Sequence, residues 1–231
     1  MDNSWVVIIP AAGTGTRFGS VLPKQYVELD GVAILVRTVR NALAHPSVRS
    51  VLVAIHPSMM DHATDLLGSL DERVILVQGD TERQHSIARC LQHAVCTSAD
   101  VILVHDAVRP FATAELFDRV GVAAATHGGA IPAVPVTDTI KQVDAGGDVV
   151  STLERTMLRA AQTPQAFHAS VLLRAYEHAA ATGIVGTDDA SLVEAIGVRV
   201  TTVEGMGSNI KITTPLDMEI AHHLLHRYGL D

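Results

Sequence analysis

Four short apolar runs recur along the chain and constrain its fold more than any other feature. They are continuous and rich in β-branched residues, and they lie at residues 6–9, 51–55, 74–77 and 101–104. Runs without polar alternation are typical of parallel strands buried on both faces of a sheet. Helix-length segments separate them, which favours right-handed crossovers and helices on both sides. The sequence therefore predicts a three-layer α/β/α sandwich around a mainly parallel, Rossmann-like sheet.

Local signals predict where two helices begin. Thr81 and Gln84 fit a capping box, with Thr81 as the N-cap. Near the C-terminus, Thr214, Pro215 and Asp217 supply an N-cap, a proline in the first turn and an acid at the third helical position. An apolar stripe at helical spacing follows the first of these starts, at Ile87, Cys90, Leu91, Ala94 and Val95.

One segment interrupts the alternation of strands and helices. Residues 138–155, DTIKQVDAGGDVVSTLER, indicate two strands around a Gly-Gly turn. No helix follows that could cover such a hairpin, so it either lies on a domain of its own or reaches to another subunit. We expect an arm that reaches to a second subunit. The resulting prediction is a single domain over residues 1–231, with the arm at 138–155 making a homodimer.

Composition excludes several classes of protein. The net charge of −8 argues against a nucleic-acid binder, which needs a basic face. No apolar run approaches the roughly 20 residues that a membrane span requires, and the N-terminus lacks the pattern of a signal peptide. The two cysteines, Cys90 and Cys96, fit no zinc or redox spacing. We expect them to be buried thiols in a cytoplasmic protein.

Lysine is rare enough to draw attention to each position that has one. Only three of the 17 Lys and Arg residues are lysines: Lys24, Lys141 and Lys211. A residue that is usually spread over surfaces is here confined to three motif-like segments. Lys211 lies between two isoleucines, in the short segment 209–213 for which we predict a strand. A lysine in that setting indicates that its tip meets an anion.

The first loop, PAAGTGTRFGSVLPKQY at residues 10–26, follows the first predicted strand and carries three glycines. It is neither a Walker A loop, because no lysine directly follows its last glycine, nor a dinucleotide fingerprint, because its glycine spacing is one residue too long. Small residues at the carboxyl end of a strand let a ligand approach the backbone. Arg17 and Lys24 could then close over a polyphosphate, or they could be two solvated surface cations.

Two further segments place polar groups at the same edge of the predicted sheet. Asp106 directly follows the strand at 101–104, where it could hold Mg²⁺ against a nucleotide or simply cap a loop. The turn GDTERQHS, residues 79–86, follows the strand at 74–77, and the Ser86 hydroxyl could read the edge of a base. No Ser, Cys or His arrangement for nucleophilic catalysis is present, and the 12 histidines are scattered.

Seven segments together resemble one enzyme family, the 2-C-methyl-D-erythritol 4-phosphate cytidylyltransferases of the non-mevalonate isoprenoid pathway. The similarity runs from about residue 6 to about residue 220, with the segments in the family's order. The first is also common to many sugar nucleotidyltransferases, whereas the full set is specific. The segments are PAAGTGTRFGSVLPKQY, GDTERQHS, VHDAVRP, DTIK, TPQAF, TDDASLVE and NIKIT.

The resemblance implies a reaction of CTP with the methylerythritol phosphate, with Mg²⁺ or another divalent cation, in a homodimer. By motif it implies that Arg17 holds the β- and γ-phosphates, that Lys24 and Lys211 flank the α-phosphate, and that Asp106 binds the metal. The implied nucleotide site is Ala11, Ala12, Gly13, Gly79, Ser86, Asp106 and Ala107. The implied site for the sugar phosphate is Arg109, Thr139, Arg155, Thr163 and Thr187, with Lys211 beside it and Arg155 acting from the arm on the second subunit.

One departure from the family and two alternative functions accompany this interpretation. The family commonly has Gly-Gly in the GDTERQ turn, whereas here the second position is Asp80, whose side chain could crowd the base.

A cytidylyltransferase for another polyol phosphate, such as ribitol 5-phosphate, would share the fold and the CTP site. A catalytically silent nucleotide-binding protein should lack Lys24, Asp106 or Lys211, and this sequence has all three.

Overall fold

The computed structural model describes residues 4–13 and 22–228. Within them the chain forms twelve β-strands and eight α-helices. The strands are β1 (Trp5–Ala11), β2 (Glu28–Leu29), β3 (Val32–Ala33), β4 (Val48–Ile55), β5 (Val74–Gln78), β6 (Val101–Val104), β7 (Gly129–Pro135), β8 (Lys141–Val143), β9 (Val149–Thr152), β10 (Arg159–Ala161), β11 (Gln165–His168) and β12 (Thr201–Glu204). The helices are α1 (Ile34–Leu43), α2 (Met60–Leu67), α3 (Arg83–Leu91), α4 (Ala94–Thr97), α5 (Ala114–His127), α6 (Ala169–Thr182), α7 (Asp189–Ala195) and α8 (Pro215–Tyr228).

Eight of these strands form one sheet, in the order β10-β7-β11-β6-β1-β4-β5, with β12 also paired to β7. One half is parallel, because β1 pairs in parallel with both β4 and β6, and β4 does so with β5. In the other half β11 and β10 run antiparallel to their neighbours. The carboxyl ends of β1 and β6 therefore lie side by side at one edge of the sheet.

Both faces of the sheet are covered, which explains why its strands are continuously apolar. Along β1, Val7 and Ile9 pack with the apolar side chains of α1, α2 and α5. Val6 and Ile8 point to the opposite face and pack with those of α3, α4, α6 and α7. The predicted three-layer α/β/α sandwich is confirmed.

The four strands predicted from the apolar runs all exist, and three of them are longer than the sequence indicates. Burial differs from the prediction in β5. Its valines, isoleucine and leucine are only partly buried, because β5 is the last strand on its side of the sheet. A continuous apolar run is thus compatible with an edge strand when one neighbour and a covering helix are present.

The predicted start of α3 is wrong. The helix begins at Arg83 with Glu82 at the N-cap, and the Glu82 side chain makes no capping hydrogen bond. Thr81 instead donates its hydroxyl to Asp80 Oδ1, 3.2 Å away. The Gln84 amide donates to the Ile184 carbonyl at 3.0 Å and accepts from the Gly186 N–H at 3.0 Å. Contacts to a loop a hundred residues away thus replace the local capping box.

The apolar stripe behind this start is correct only as far as Leu91. The helix ends there, and the short helix α4 begins at Ala94. Ala94 is exposed as a result, and Cys96 takes the buried position. Cys90 and Cys96 are both buried free thiols, as predicted, and burial raises their pKa values to about 12 and about 11.

The C-terminal helix begins as predicted, but the strand before it does not exist. Asp217 in the first turn of α8 accepts from the backbone N–H groups of Thr213 and Thr214 at 2.8 and 2.7 Å. Residues 209–213 form no strand. The Ile212 side chain packs in a small apolar cluster with α8, and its N–H bonds to the Val108 carbonyl at 3.0 Å.

The predicted hairpin is present as a separate two-stranded sheet of β8 and β9. Several of its apolar side chains are exposed: Val143, Val149, Val150 and Leu153. None of the helices in the described part of the chain combines the length and apolar character that crossing a membrane requires.

Candidate active site

A cleft of about 320 Å³ opens at the carboxyl ends of β1 and β6. Ligands bind at this edge in open parallel sheets. Four chain segments that are distant in sequence meet around it. Among the residues that line it are Ala11, Ala12, Gly13, Lys24, Gln25, Asp80, Arg83, Ser86, Asp106, Ala107 and Lys211.

Gln25 fixes the backbone at the end of β1. Its buried amide nitrogen donates to the carbonyls of Ala11 and Gly13, at 2.7 and 2.9 Å. Gln25 lies in a short 3-10 helix with Lys24, so the same contact brings Lys24 to the cleft. The sequence analysis missed Gln25, although its position beside Lys24 was a usable signal. Arg17, on the same loop, lies outside the described residues.

The turn before α3 packs tightly against β1. A Cβ atom on Gly79 would lie 2.6 Å from the Cβ of Ala12, so only glycine lets the turn approach this closely. Ser86 holds the turn together, since its buried hydroxyl accepts from the Asp80 N–H at 2.9 Å and donates to the Asp80 carbonyl at 3.0 Å. The hydroxyl predicted to read a base thus also has a structural role.

Asp80, the position that departs from the family pattern, has its carboxylate bound within the turn. Oδ1 accepts from the Thr81 N–H at 2.8 Å, and Oδ2 pairs with Arg89. The Thr81 N–H and hydroxyl, with Arg89, lower the pKa of Asp80. Asp80 lines the cleft with this ionised side chain anchored at both oxygens.

Asp106 is surrounded by three cations. Its Oδ2 lies 3.0 Å from Lys211 Nζ and 3.3 Å from Arg109 Nε, and its Oδ1 lies 3.8 Å from Arg83 Nε. Burial alone would raise the pKa of this carboxyl, but the positive charges of Lys211, Arg83 and Arg109 outweigh burial and hold it at about 2. Asp106 is therefore an ionised, hard oxygen donor at the carboxyl end of β6. Lys211 meets an anion, as its setting between two isoleucines indicates.

A buried hydrogen-bond relay holds the backbone of Asp106. The Asp106 N–H donates to Thr163 Oγ1 at 3.0 Å, and this hydroxyl lies 2.9 Å from His105 Nδ1. His105 Nε2 lies 3.2 Å from the Arg109 carbonyl, which can only accept, so Nε2 carries the proton and Nδ1 accepts. Desolvation lowers the pKa of the fully buried His105 to about 4, which keeps the ring neutral.

The segment that carries Lys211 is fixed to the same loop. Arg109 Nη1 donates to the Asn209 carbonyl at 2.6 Å. The buried Asn209 amide donates in turn to the Thr163 carbonyl at 2.8 Å. These contacts place Lys211 beside Asp106 without any strand pairing.

Arg83 is a cleft residue that the sequence analysis missed. Its Nη2 donates to Asp189 Oδ2 at 2.6 Å, and its Nε faces Asp106. Burial would lower its pKa, but the charges of Asp189 and Asp106 raise it instead. No local signal identifies this residue, because its partner Asp189 lies 106 positions away.

The residues predicted for the second substrate are not brought together in one chain. Arg109 and Thr163 contact Asp106, but Thr187 lines an adjacent cavity shared with Arg83. Arg155 lines a third cavity and donates to the Thr137 carbonyl at 2.6 Å. Thr139 lies at the start of the arm, before β8, and lines none of these cavities.

The arrangement fits a metal that is held mainly by a ligand's phosphates. Among the described residues there is no group of three or more His, Cys, Asp or Glu side chains that could hold a metal ion by themselves. An ionised carboxylate at a cleft edge suits Mg²⁺, which usually binds one or two carboxylates together with substrate phosphates. Asp106 is an ionised carboxylate of this kind, whereas the Asp80 carboxylate is bound by Thr81 and Arg89.

Comparisons with known proteins agree on one family. The family model IspD, 2-C-methyl-D-erythritol 4-phosphate cytidylyltransferase, matches residues 5–227. A relative of that name from Symbiobacterium thermophilum is 48% identical over 219 residues, which are 95% of this chain and 92% of the relative. One from Acidobacterium capsulatum is 41% identical over 231 residues, covering 96% and 97%.

Solved structures are similar over the same length. The crystal structure of 4-diphosphocytidyl-2C-methyl-D-erythritol synthase from Anaerococcus prevotii superposes with a TM-score of 0.86 at 31% identity, covering 98% of this chain and 100% of that one. The 2-C-methyl-D-erythritol 4-phosphate cytidylyltransferase of Thermus thermophilus gives 0.79 at 34% identity, covering 95% and 98%.

Proposed function

The chain belongs to the 2-C-methyl-D-erythritol 4-phosphate cytidylyltransferase family, and we propose from this premise how its residues carry out the reaction. It is a nucleotidyltransferase that transfers CMP from CTP to 2-C-methyl-D-erythritol 4-phosphate, releasing pyrophosphate and forming 4-diphosphocytidyl-2-C-methyl-D-erythritol. The observation that carries the proposed roles is the Asp106 carboxylate with its three cations at the cleft edge. The comparisons do not favour the ribitol 5-phosphate alternative.

The nucleotide occupies the cleft at the end of β1. Ala11, Ala12 and Gly13 leave room for it along the backbone, and Gly79 with Ser86 forms the facing turn. Asp106 and Ala107 close the third side of the cleft. These positions support a role in binding cytidine and its ribose, as the family resemblance implies.

The substrate phosphate needs no general base. A phosphate monoester is mostly dianionic at neutral pH, since its second pKa is about 6. The barrier is instead repulsion, because one anion must attack the α-phosphorus of another. Lys24 and Lys211 stabilise the oxygens on which charge builds in the in-line transition state, and Arg17 holds the leaving pyrophosphate. One bond forms, from the attacking phosphate oxygen to the α-phosphorus of CTP, and one bond breaks, from this phosphorus to the leaving pyrophosphate. The reaction therefore needs no further reactant.

Asp106 would hold a divalent cation, Mg²⁺ or an ion like it, against the phosphates of CTP. When bound, such an ion neutralises phosphate charge and orients the chain of phosphates. The chain's own contribution is to keep this carboxylate ionised and its backbone fixed by Thr163.

The methylerythritol phosphate is bound by residues from two subunits. Arg109, Thr163 and Thr187 come from one protomer, and Thr139 and Arg155 come from the arm region of its partner. The exposed apolar side chains of β8 and β9 support this homodimer, because they have no cover within the described part of one chain. Residues 1–231 then form one domain with a projecting arm, and the reaction of two charged metabolites takes place in the cytoplasm.

One substrate panel tests the proposed function. Each nucleoside triphosphate is mixed with Mg²⁺ and either methylerythritol phosphate or ribitol 5-phosphate, and pyrophosphate release is measured. We expect rapid release only with CTP and methylerythritol phosphate. Faster release with ribitol 5-phosphate would reassign the alcohol, and no release with CTP in any mixture would indicate a silent nucleotide-binding protein.

A further inference from the structure

A buried carboxylate outside the cleft holds one of the cleft's cations. Asp189, the first residue of α7, has no exposed surface. Its Oδ2 accepts from Arg83 Nη2 and its Oδ1 accepts from the Tyr176 hydroxyl, both at 2.6 Å. Because Tyr176 lies on α6 and Arg83 on α3, Asp189 joins three helices at one point.

The position of Asp189 is itself fixed to the sheet. Gln165, at the start of β11, donates to Asp188 Oδ2 at 2.7 Å and accepts from the Ala190 N–H at 3.1 Å. These bonds hold the residues on either side of Asp189. Two positions before Gln165, Thr163 binds the Asp106 N–H. Asp189 is therefore linked to Asp106 in two ways: through the side chain of Arg83, and through the segment from Thr163 to Gln165 at the start of β11.

Arg83 is shared unequally between two carboxylates. Its contact to Asp189, at 2.6 Å, is a short charge-assisted hydrogen bond. Its Nε lies 3.8 Å from Asp106 Oδ1, which is beyond hydrogen-bond distance. The other oxygen of Asp106 is already approached by Lys211 and Arg109. Arg83 thus supplies charge near Oδ1 without binding it.

Loss of Asp189 would change this balance. Of the two carboxylates that Arg83 contacts in its mostly buried site, only Asp106 would remain. The Arg83 guanidinium would then move towards Asp106, because a bidentate pair is the favoured geometry of an arginine with a carboxylate. The gap of 3.8 Å is small enough for rotation of the Arg83 side chain to close. Oδ1 of Asp106 would then be bound by the guanidinium.

We propose that Asp189 is a positioning residue for nucleotidyl transfer: by holding Arg83, it keeps Asp106 Oδ1 available to the divalent cation that accompanies CTP. This inference rests on the proposed function, in that it takes Asp106 as the metal ligand. Tyr176 and Gln165 act in the same way one step further out, since they orient Asp189 or its neighbours.

The test is the near-isosteric variant Asp189→Asn, with Mn²⁺ as the probe. Free Mn²⁺ is measured by electron paramagnetic resonance, with CTP present and the alcohol absent, so that no turnover occurs. We expect Mn²⁺ to bind at least about tenfold more weakly, the usual effect of removing a partner that orients a metal ligand. In turnover assays, the Mg²⁺ concentration that gives half the maximal rate should rise by a larger factor than the factor by which kcat falls.

A second variant separates positioning from a merely structural role. In Asp189→Asn/Arg83→Gln, the guanidinium that closes on Asp106 is gone, so Mn²⁺ should bind more tightly than in Asp189→Asn alone. The matched control is Glu194→Gln, which removes one negative charge from an exposed position on α7 and should bind Mn²⁺ as the wild type does. Thermal unfolding of each variant shows that it folds.

Two outcomes would overturn the inference. One is an Asp189→Asn protein that is less stable but binds Mn²⁺ with wild-type affinity. The other is a double variant no better than the single one, which would mean that Arg83 does not block the metal. Failure of the proposed function is seen separately, since the wild type would then release no pyrophosphate from CTP and methylerythritol phosphate.

Discussion

Asp106 is approached by more positive charge than its own negative charge balances. Asp106 carries one negative charge, whereas Lys211, Arg109 and Arg83 approach it within 3.0 to 3.8 Å. Asp189 offsets part of this excess through Arg83. A surplus of fixed cations at the carboxyl edge of a sheet suits a polyanionic ligand, because the charges are already in place when it arrives.

Lys24→Ala should reduce kcat for pyrophosphate release by about 10²–10³, the usual effect of losing one preorganised donor to a transition state. Lys24 lines the cleft next to Gln25, which fixes the end of β1. Steady-state kinetics with CTP and methylerythritol phosphate measure the change. The control is Lys141→Ala, because Lys141 is exposed on the arm and donates to Thr152. Turnover near the wild-type rate in Lys24→Ala would remove Lys24 from the reaction.

His105 should make the protein less stable in mild acid. Burial lowers its pKa from 6.5 to about 4 in the folded state. The unfolded chain therefore binds more protons between these two values. The free energy of unfolding should fall as the pH drops from 6.5 towards 4, by about 3 kcal/mol from this residue. Protonation would also place a hydrogen on Nδ1, which now accepts from Thr163.

Urea unfolding at a series of pH values checks this prediction. His105→Gln should lower stability at neutral pH and lose this part of the pH dependence. His127→Gln, at the exposed end of α5, leaves His105 in place and should keep the wild-type slope. An unchanged slope in His105→Gln would show that other groups cause the acid sensitivity.

The sequence predicts those helices and strands whose bounds are determined by neighbouring residues. The strand at 101–104 is predicted to the residue, because its side chains are buried on both faces and leave no other pattern to compete. The start of α8 is predicted for a similar reason. Thr214, Pro215 and Asp217 lie within four positions, and Thr214 and Asp217 hydrogen-bond to each other.

Elements shaped by distant contacts could not be predicted in this way. Gln84 bonds to residues 184 and 186 rather than to the backbone of its own turn, so the capping box at Thr81 does not form. Residues 209–213 have strand-like composition, but Asn209 is held by the Thr163 carbonyl and the Arg109 side chain, and Lys211 by the Asp106 side chain. The role of Arg83 could not be predicted for the same reason, since it depends on the contact of Arg83 with the distant Asp189.

The first turn of α8 should stabilise the protein and also hold the edge of the cleft in place. Asp217 accepts from Thr213 and Thr214, and Thr213 lines the cleft two residues after Lys211. Asp217→Ala should cost about 1 kcal/mol, as the loss of a helix cap does, and lower Tm by about 2–4 °C. The KM for CTP should also rise.

Scanning calorimetry and kinetics on the same samples measure both effects. Glu219→Ala, at an exposed position of α8 outside the cap, is the matched control and should change neither. A variant with lower Tm but unchanged KM would limit the cap to a structural role.

One chain does not assemble all the residues proposed for the second substrate. Thr163 and Arg109 lie at Asp106, whereas Arg155 lies in another cavity next to the arm. The arm itself exposes Val149 and Val150. The sequence indicated the arm because a Gly-Gly turn is a local signal. Its partner surface cannot be inferred locally, because it belongs to a second molecule.

If Arg155 acts on the partner's site, two inactive variants should restore activity to each other. In a heterodimer of Lys24→Ala and Arg155→Ala, one site has its own Lys24 and receives Arg155 from the partner, while the other site lacks both. Such a heterodimer, purified through two different affinity tags, should show about half the wild-type activity, since one of two symmetric sites is intact. Each parent homodimer is the control and should be nearly inactive. If Arg155 serves its own chain, both sites of the heterodimer are defective and no activity returns. Sedimentation that finds only monomers would overturn the shared site as well.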